Sequence, residues 1–301
     1  MLDVRRLMLL RELAHRGTIA AVADALSYTP SAVSQQLATL EREASVPLLE
    51  RTGRSVRLTS AAHRLVEHAE AVFEQLEQAA ADLRADTGAI AGQLRIGAYP
   101  TAMRALVTPA LVALSREHPG LRVSVTEIDP ATAPGALRAG RLDLALLHEY
   151  DGLPAGRDRS LQTEPLFDEA VLLAAPAHSD APITTAAAAD ADWVSGTSGT
   201  LCHEVTIRTC ETAGFAPRIR HHTDDYAAVL ALVAAGQGVA LVPETAAFAP
   251  PVGVRFTPIT VRRRTLLAYR RGTARLPATA AGTAALHSAA AGIVRDPVTS
   301  R

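Results

Sequence analysis

The feature that most constrains this chain is the stretch Ser60–Ala85, which contains neither glycine nor proline. Its apolar residues recur at alternating steps of three and four, the heptad spacing of a helix that pairs with another helix. They are Ala62, Leu65, Ala69, Val72, Leu76, Ala79 and Leu83, and they are flanked by Glu67, Glu70, Glu74 and Glu77. One long helix therefore divides the 301 residues, which are too many for one ordinary domain, into two parts.

The part before the long helix contains the start and stop signals of several short helices. Apolar residues recur at helical spacing up to Gly17, and a second short helix is predicted over 19–26 with Thr18 as its N-cap. Thr29 and Pro30 then open a third helix, because threonine caps well and proline is favoured at the first helical position. Two short helices joined by a tight turn predict a helix-turn-helix.

The third helix and the segment after it carry groups suited to DNA. Ser31, Ser34 and Gln35 face outward, and a glutamine side chain can form two hydrogen bonds to adenine. Taken alone, these residues are more typical of the solvated polar face of a small helical bundle. Two short apolar runs around Thr52-Gly53 predict a hairpin, or wing, whose Arg51, Arg54 and Arg57 suit phosphate contact. The two features together favour DNA binding.

Bulk composition excludes several classes of protein. A 48% hydrophobic and 20% charged chain with net charge −1 is typical of a globular protein, not of a uniformly basic coat protein. Cys202 and Cys210 are the only cysteines, which excludes a disulfide framework and a four-cysteine zinc site. With no apolar run of membrane-spanning length and no signal-peptide cleavage site, we expect a cytoplasmic protein without a membrane partner.

Beyond Gly92 the pattern changes to strands that alternate with helices. Strands are predicted over 94–97, 121–127, 142–147, 166–175, 218–222, 239–242, 254–260 and 264–270, and helices between most of them. This alternation predicts an α/β region with mainly parallel sheets and a site at the carboxyl ends of the strands.

Five segments carry a family resemblance. The run 20–41 (AAVADALSYTPSAVSQQLATLE) resembles the helix-turn-helix of the LysR-type transcriptional regulators, and 47–51 (PLLER) with 56–59 (VRLT) resembles their wing. The segments 140–145 (GRLDLA) and 233–243 (VAAGQGVALVP) are similar to the sensor half of that family. The chain is thereby identified as a member of the family.

The resemblance implies an α+β multidomain fold: a winged helix-turn-helix over 1–59, a linker and dimerisation helix over 60–88, and a sensor over 89–301. The sensor is expected to be α/β and similar to periplasmic binding proteins, with one subdomain over 92–163 and 240–301 and the other over 164–239. The implied partners are double-stranded DNA with a dyad-symmetric operator, a second copy or a tetramer of this chain, and RNA polymerase. The alternative for the long helix is a buried helix of a monomer. The expected DNA contacts are Thr29, Pro30, Ser31, Ser34, Gln35, Gln36, Arg51, Arg54 and Arg57.

The implied ligand is a small-molecule effector between the two subdomains. Thr101 and its neighbours, and the loop 195–199, each lead into a helix whose N-terminal amides can hold an anion, so a small organic acid or other anionic metabolite is expected. The expected contacts are Tyr99, Pro100, Thr101, Thr126, His148, Ser195, Gly196, Thr197 and Thr223. The alternative is that these are ordinary caps and turns, and that His148 is a core histidine.

Other functions find less support. An enzymatic function is not supported, because the sequence shows no nucleophile–base pair. The adjacent His221 and His222 point to opposite sides of a strand, so neither a metal nor a cofactor is expected. A redox sensor is a minor alternative, because Cys202 and Cys210 lie two helical turns apart. A solute-binding protein or an architectural DNA-binding protein without an effector is the remaining rival.

Overall fold

The structure is a computed structural model that describes residues 1–52, 55–85, 90–154, 156, 158–177, 184–248 and 250–295. It forms two compact units, one of residues 1–87 with 270–276 and the other of residues 88–269 with 277–301. Within the described residues, none of the helices has both the length and the apolar content to cross a bilayer.

Three capped helices open the first unit: α1 (Val4–Arg16), α2 (Ile19–Leu26) and α3 (Pro30–Ala44). The side chains of Asp3, Thr18 and Thr29 accept hydrogen bonds from the first free amides of the three helices, as N-caps do. Their inward stripes form one core, which includes Leu7, Leu10, Leu13, Val22, Val33, Leu37 and Leu40. The predicted helix-turn-helix and its caps are present.

A hairpin and the long helix follow. Strands β1 (Leu49–Thr52) and β2 (Ser55–Leu58) pair antiparallel, with Glu50 opposite Arg57. Helix α4 (Ser60–Ala85) begins after Thr59, whose hydroxyl accepts from the Ala62 amide. The sequence pattern therefore predicted both the wing and the extent of the helix.

The heptad seam of α4 is divided between two environments. Ala62 and Ala69 are buried in the core shared with α1, and Leu65 packs against it. Val72 and Leu76 are 41% and 51% exposed. The prediction of one continuous pairing seam is wrong for its first half, because those residues complete the core of their own unit.

The second unit contains an eight-stranded sheet. Its strands are β3 (Gly92–Ala98), β4 (Leu121–Glu127), β5 (Leu144–Tyr150), β6 (Leu161–Pro176), β7 (Asp192–Ser195), β8 (Arg218–His222), β9 (Val239–Pro243) and β10 (Val254–Arg270). Their order across the sheet is β4-β3-β5-β10-β6-β9-β7-β8. Strand β3 is parallel to β4 and β5, and β7 to β8 and β9, whereas β5–β10 and β6–β9 are antiparallel.

Helices cover both faces of this sheet. They are α5 (Pro100–Ala102), which continues through the π-helical turn Met103–Val107 into α6 (Thr108–Glu117), then α7 (Ala133–Arg138), α8 (Leu201–Thr212), α9 (Tyr226–Ala234) and α10 (Pro277–Arg295). The sheet has two lobes, a first around β3, β4 and β5 and a second around β7, β8 and β9. The first lobe packs α6 and α10 on one face and α7 on the other. The second lobe packs α8 on one face and α9 on the other.

The central strands β6 and β10 belong to both lobes. The start of β6 packs in the first lobe and its end in the second, and β10 runs the opposite way. Two strands were predicted over 254–260 and 264–270, but β10 is continuous. The lobe boundary was predicted at residue 240, which lies inside β9. Because β9 pairs with β6 and β7 in the second lobe, the chain returns to the first lobe only within β10. Strand β7 escaped prediction because only four residues form it.

Candidate ligand cavity and nucleic-acid interface

A cavity of about 280 Å³ lies in the second unit, between residues of both lobes. In the first lobe, the segment after β3 and strand β5 contribute residues to its lining. In the second lobe, the starts of α8 and α9 do so. Four of the predicted effector contacts line it: Tyr99, Pro100, Thr101 and His148. The other five, Thr126, Ser195, Gly196, Thr197 and Thr223, are described residues that are not part of its lining.

The charged centre of the cavity is Arg263 of β10, whose side chain is 1% exposed. Its Nε and Nη2 lie 2.8 and 2.6 Å from Oε1 of Glu169 on β6, which is itself buried. Nη2 also donates to the hydroxyls of Thr101 and Thr245, at 3.2 and 3.0 Å. The guanidinium stands 5.2 Å from the centre of the Tyr99 ring, within cation–π range. Arg263 is therefore fixed by contacts from three segments: β6, residues 99–101 after β3, and the turn that contains Thr245.

Arg263 stays charged although it is buried. Burial alone would lower the pKa of the guanidinium, but the Glu169 carboxylate together with Tyr99, Tyr150 and Tyr226 outweighs this, and the pKa is raised well above its ordinary value. Nη1 has no hydrogen-bond partner among the described residues. Because buried donors are almost always paired in proteins, this N–H group indicates a place for an acceptor from outside the chain.

His148, on β5, lies near Arg263, and its imidazole is neutral. Its ring packs edge-on between Tyr99 and Tyr150, with centroid distances of 4.8 and 5.2 Å. Burial, followed by the positive charge of Arg263, lowers the pKa of His148 to about 3. The predicted histidine is thus in the cavity wall, and its Nδ1 is a second buried nitrogen without a partner in the described part of the chain.

Tyr226 and Cys202 also line the cavity, and the Tyr150 phenol contacts both from outside the lining. The hydroxyl of Tyr226, on α9, donates to Sγ of Cys202 at 3.2 Å, and the Tyr150 hydroxyl lies 3.5 Å from both. Burial raises the pKa of Tyr150 and of Tyr226 well above the ordinary phenol value, so both stay protonated. Cys210 faces away into the core of the second lobe, where burial raises its pKa to about 12.

Carboxylates dominate the rim of the cavity. Glu127 ends β4, Asp129 follows it, and Asp224 and Asp225 precede α9; all four line the cavity and are exposed. Asp225 caps α9 through the Ala227 amide, and Asp129 accepts from the Ala131 amide. Among the described residues, Arg263 is the single arginine or lysine in this lining. The cavity therefore carries a net negative lining.

The loop 195–199 does hold an anion, but one that the chain itself supplies. The amide and hydroxyl of Thr197 donate to the two oxygens of Asp224, at 2.8 and 2.6 Å. The Gly196 carbonyl lies 3.2 Å from Nδ1 of both His203 and His222. Asp224 therefore occupies the amide and hydroxyl of Thr197, two of the donors that this loop was expected to offer to an external acid.

The sequence analysis missed Arg263 and Glu169. The two-residue alternation of a strand could have identified both residues as inward-facing. Arg263 shares a face of β10 with Val261 and Thr265, and Glu169 shares a face of β6 with Val171. Dividing β10 into two predicted strands hid this parity. A charged residue on the buried face of a central strand indicates a paired or functional group.

The predicted DNA contacts on α3 are only partly free. Thr29, Pro30, Ser31 and Gln35 are exposed and Ser34 is half-buried. Gln36 instead turns toward α1, where its side-chain oxygen accepts from Nε of Arg6 at 2.8 Å. The N-terminal turn of α3 thus presents a compact polar surface, to which Gln36 contributes less than predicted.

The wing is described only in part. Arg57 on β2 is exposed, and β1, the strand that contains Arg51, pairs with β2. The side chain of Arg51 and the whole of Arg54 lie outside the described residues.

Two family models match the chain. That of the LysR substrate binding domain matches residues 87–291, and that of the bacterial regulatory helix-turn-helix proteins of the lysR family matches residues 4–63. The first alone covers more than half of the chain.

Curated relatives match most of their own length. The transcriptional dual regulator GltC of Bacillus subtilis is 29% identical over 81% of this chain and 81% of its own. A probable hydrogen peroxide-inducible genes activator of Mycobacterium avium is 29% identical over 77% of this chain and 75% of its own.

Solved structures share the fold. An H2O2-bound mutant of Corynebacterium glutamicum OxyR has a TM-score of 0.60 at 23% identity, covering 98% of this chain and 94% of that one. CbnR, described as a LysR family transcriptional regulator, has a TM-score of 0.54 at 23% identity, covering 95% of this chain and 100% of its own.

Proposed function

Because the chain belongs to the LysR family of bacterial helix-turn-helix transcriptional regulators, we propose specific roles for its two sites. The N-terminal turn of α3 and the wing bind an operator, and the cavity around Arg263 binds the small-molecule effector that modulates this binding. The protein is a DNA-binding regulator with an effector-binding domain; which residues perform each task is the proposal.

The observation that supports the DNA-binding role is the exposed polar turn at the start of α3. Thr29 uses its hydroxyl to cap the helix, so Ser31, Ser34 and Gln35 follow on the first two turns, where a recognition helix meets base edges. Arg57 and the other wing arginines then contact phosphates, which orient the protein but do not read sequence.

The functional unit that we propose is a homodimer, or a tetramer built from dimers. The exposed second half of the α4 seam, Val72 and Leu76, is available for pairing with a second copy. A two-fold dimer presents two α3 helices to a dyad-symmetric operator. Cytoplasmic location and contact with RNA polymerase complete the role.

Effector binding acts by population shift. The cavity is lined by both lobes, which β6 and β10 connect, so a ligand that prefers one arrangement of the lobes stabilises that arrangement. We expect altered spacing or bending of the bound DNA more than complete loss of binding. An architectural protein without an effector would show neither.

The test is a DNase footprint of the purified protein on the DNA upstream of its own gene, over a salt series. We expect a protected dyad-symmetric site, with the double variant Ser34→Ala/Gln35→Ala losing about 100-fold in affinity, since a specific base contact contributes roughly 1–3 kcal/mol. The matched control is Ser115→Ala/Gln237→Ala, which removes the same residue types from the second unit.

The control should leave the footprint unchanged. Equal footprints for both double variants would remove α3 from base recognition. Binding that is salt-sensitive but independent of sequence would instead support the architectural role.

A further inference from the structure

The charge of the cavity restricts the chemistry of its ligand. Four rim carboxylates, Glu127, Asp129, Asp224 and Asp225, face one guanidinium, that of Arg263. The Glu169 carboxylate, at 2.6 Å, already neutralises that guanidinium. A ligand with net negative charge would add to this excess at short range, where like charges repel.

One N–H group of a residue that lines this cavity nonetheless lacks an acceptor. Nη1 of Arg263 is a buried donor without a partner among the described residues, and Arg263 lines the cavity. The paired atoms Nε and Nη2 are held by Glu169, Thr101 and Thr245, so the fork cannot turn to satisfy Nη1 within the chain. A carboxylate is the acceptor that a guanidinium binds best.

Two donors in the loop before the second-lobe helix α8 are taken up by the chain itself. Thr197 donates both its groups to Asp224, and the Thr200 hydroxyl caps α8 through the His203 amide. Among the described side chains that line the cavity, the unpartnered buried atoms are Nη1 of Arg263 and Nδ1 of His148, and the four rim carboxylates add acceptor oxygens. The side chain of Glu127 forms no hydrogen bond within the described part of the chain.

We propose that the effector is a small zwitterion, with a carboxylate on Arg263 and an ammonium group on the rim carboxylates, as in an amino acid. Such a ligand supplies its own counter-charge, so binding leaves the charge balance of the cavity unchanged. The volume of about 280 Å³ suits a molecule of this size and not a large aromatic one. The inference rests on the proposed effector role of this cavity and replaces the expected anionic metabolite.

The experiment is titration calorimetry and thermal unfolding of the full-length protein with matched sets of compounds. The probes are the twenty L-amino acids, β-alanine and 4-aminobutanoate, each with its deaminated acid and its decarboxylated amine. We expect at least one zwitterion to bind and to raise the melting temperature, with its acid and its amine each bound at least tenfold more weakly.

Two double variants locate the ammonium group. Glu127→Gln/Asp225→Asn removes two rim charges but keeps the cap of α9, because asparagine caps as well as aspartate. The dissociation constant of the zwitterion should rise about tenfold, and that of its deaminated acid should fall, since each exposed charge pair contributes several-fold. The control Glu117→Gln/Glu211→Gln removes two exposed carboxylates elsewhere and should change neither constant.

Other outcomes overturn the inference in distinguishable ways. Binding of acids alone, strengthened or not by the rim variant, refutes the zwitterion and keeps the effector role of the cavity. Equal binding of the amine and the zwitterion refutes the role of Arg263 as the carboxylate partner. If no compound binds, the zwitterion is refuted, and the footprint then decides the effector role: a response to any other metabolite retains it.

Discussion

At the scale of single residues, the cavity keeps a charge and a titratable ring where water is excluded. The Arg263–Glu169 pair is tolerated there because three hydroxyl and amide groups, from Thr101 and Thr245, add hydrogen bonds to it. Without those, the desolvation of both ions would outweigh their attraction. His148, in contrast, is kept neutral by its burial, whereas Arg263 stays charged.

The neutral state of His148 predicts a loss of stability in acid. Its pKa is lowered from 6.5 to about 3 in the folded protein, so the unfolded chain takes up the proton first. The stabilisation is complete above pH 6.5 and declines as the pH falls toward 3. Between about pH 6.5 and 5, the free energy of unfolding of the wild type should fall by up to about 1.4 kcal/mol per pH unit more than that of His148→Gln.

Urea unfolding at several pH values measures this difference. The exposed His63 provides the control, and His63→Gln should retain the slope of the wild type. Parallel slopes for the wild type and His148→Gln would show that His148 is protonated, or solvated, in the folded state.

At the scale of secondary-structure elements, the close approach of β9 to β7 depends on one glycine. Gly238, immediately before β9, has φ of +145°, and a Cβ there would lie 2.4 Å from the Asp192 carbonyl oxygen. Both the dihedral angle and the contact exclude a side chain, since the oxygen belongs to backbone that cannot rotate away. The pairing of β9 with β7 therefore requires glycine at this position.

Gly238→Ala should lower the free energy of unfolding by about 2–3 kcal/mol, the range for a strained backbone position. Gly292→Ala is the matched control, because Gly292 lies in α10 with open space around it. There the better helix propensity of alanine should add about 0.8–1 kcal/mol. Chemical denaturation of both variants decides the sign, and a neutral Gly238→Ala would show that β7 and β9 separate readily.

At the scale of the whole molecule, α4 serves its own unit with its first half and leaves part of its second half exposed. Ala62 and Ala69 are buried beneath α1, and Arg11 of α1 lies 4.6 Å from the Phe73 ring centre. On the same helix Val72 and Leu76 are exposed. An apolar pair on one helix face, at heptad spacing, is typical of a helix that pairs with another copy.

Leu76→Asp should shift the protein from dimer to monomer, because a carboxylate cannot be buried in the proposed helix pair without a partner. Light scattering at micromolar concentration measures the mass, and the footprint should weaken by at least about 100-fold as the two half-sites lose their linkage. Phe248→Asp, at another exposed apolar residue, is the control and should stay dimeric. A dimeric Leu76→Asp would move the interface away from α4.

The sequence alone determined the features that depend on local rules. Caps at Thr18 and Thr29, the wing around residues 49–58 and the extent of α4 follow from propensity and periodicity within a few residues. Tertiary structure decided which partner each group meets. Asp224 fills the loop that was expected to bind an acid, and Arg263 reaches Glu169 from 94 residues away. No local pattern encodes such pairings, because they depend on which strands become neighbours and on the water that their packing excludes.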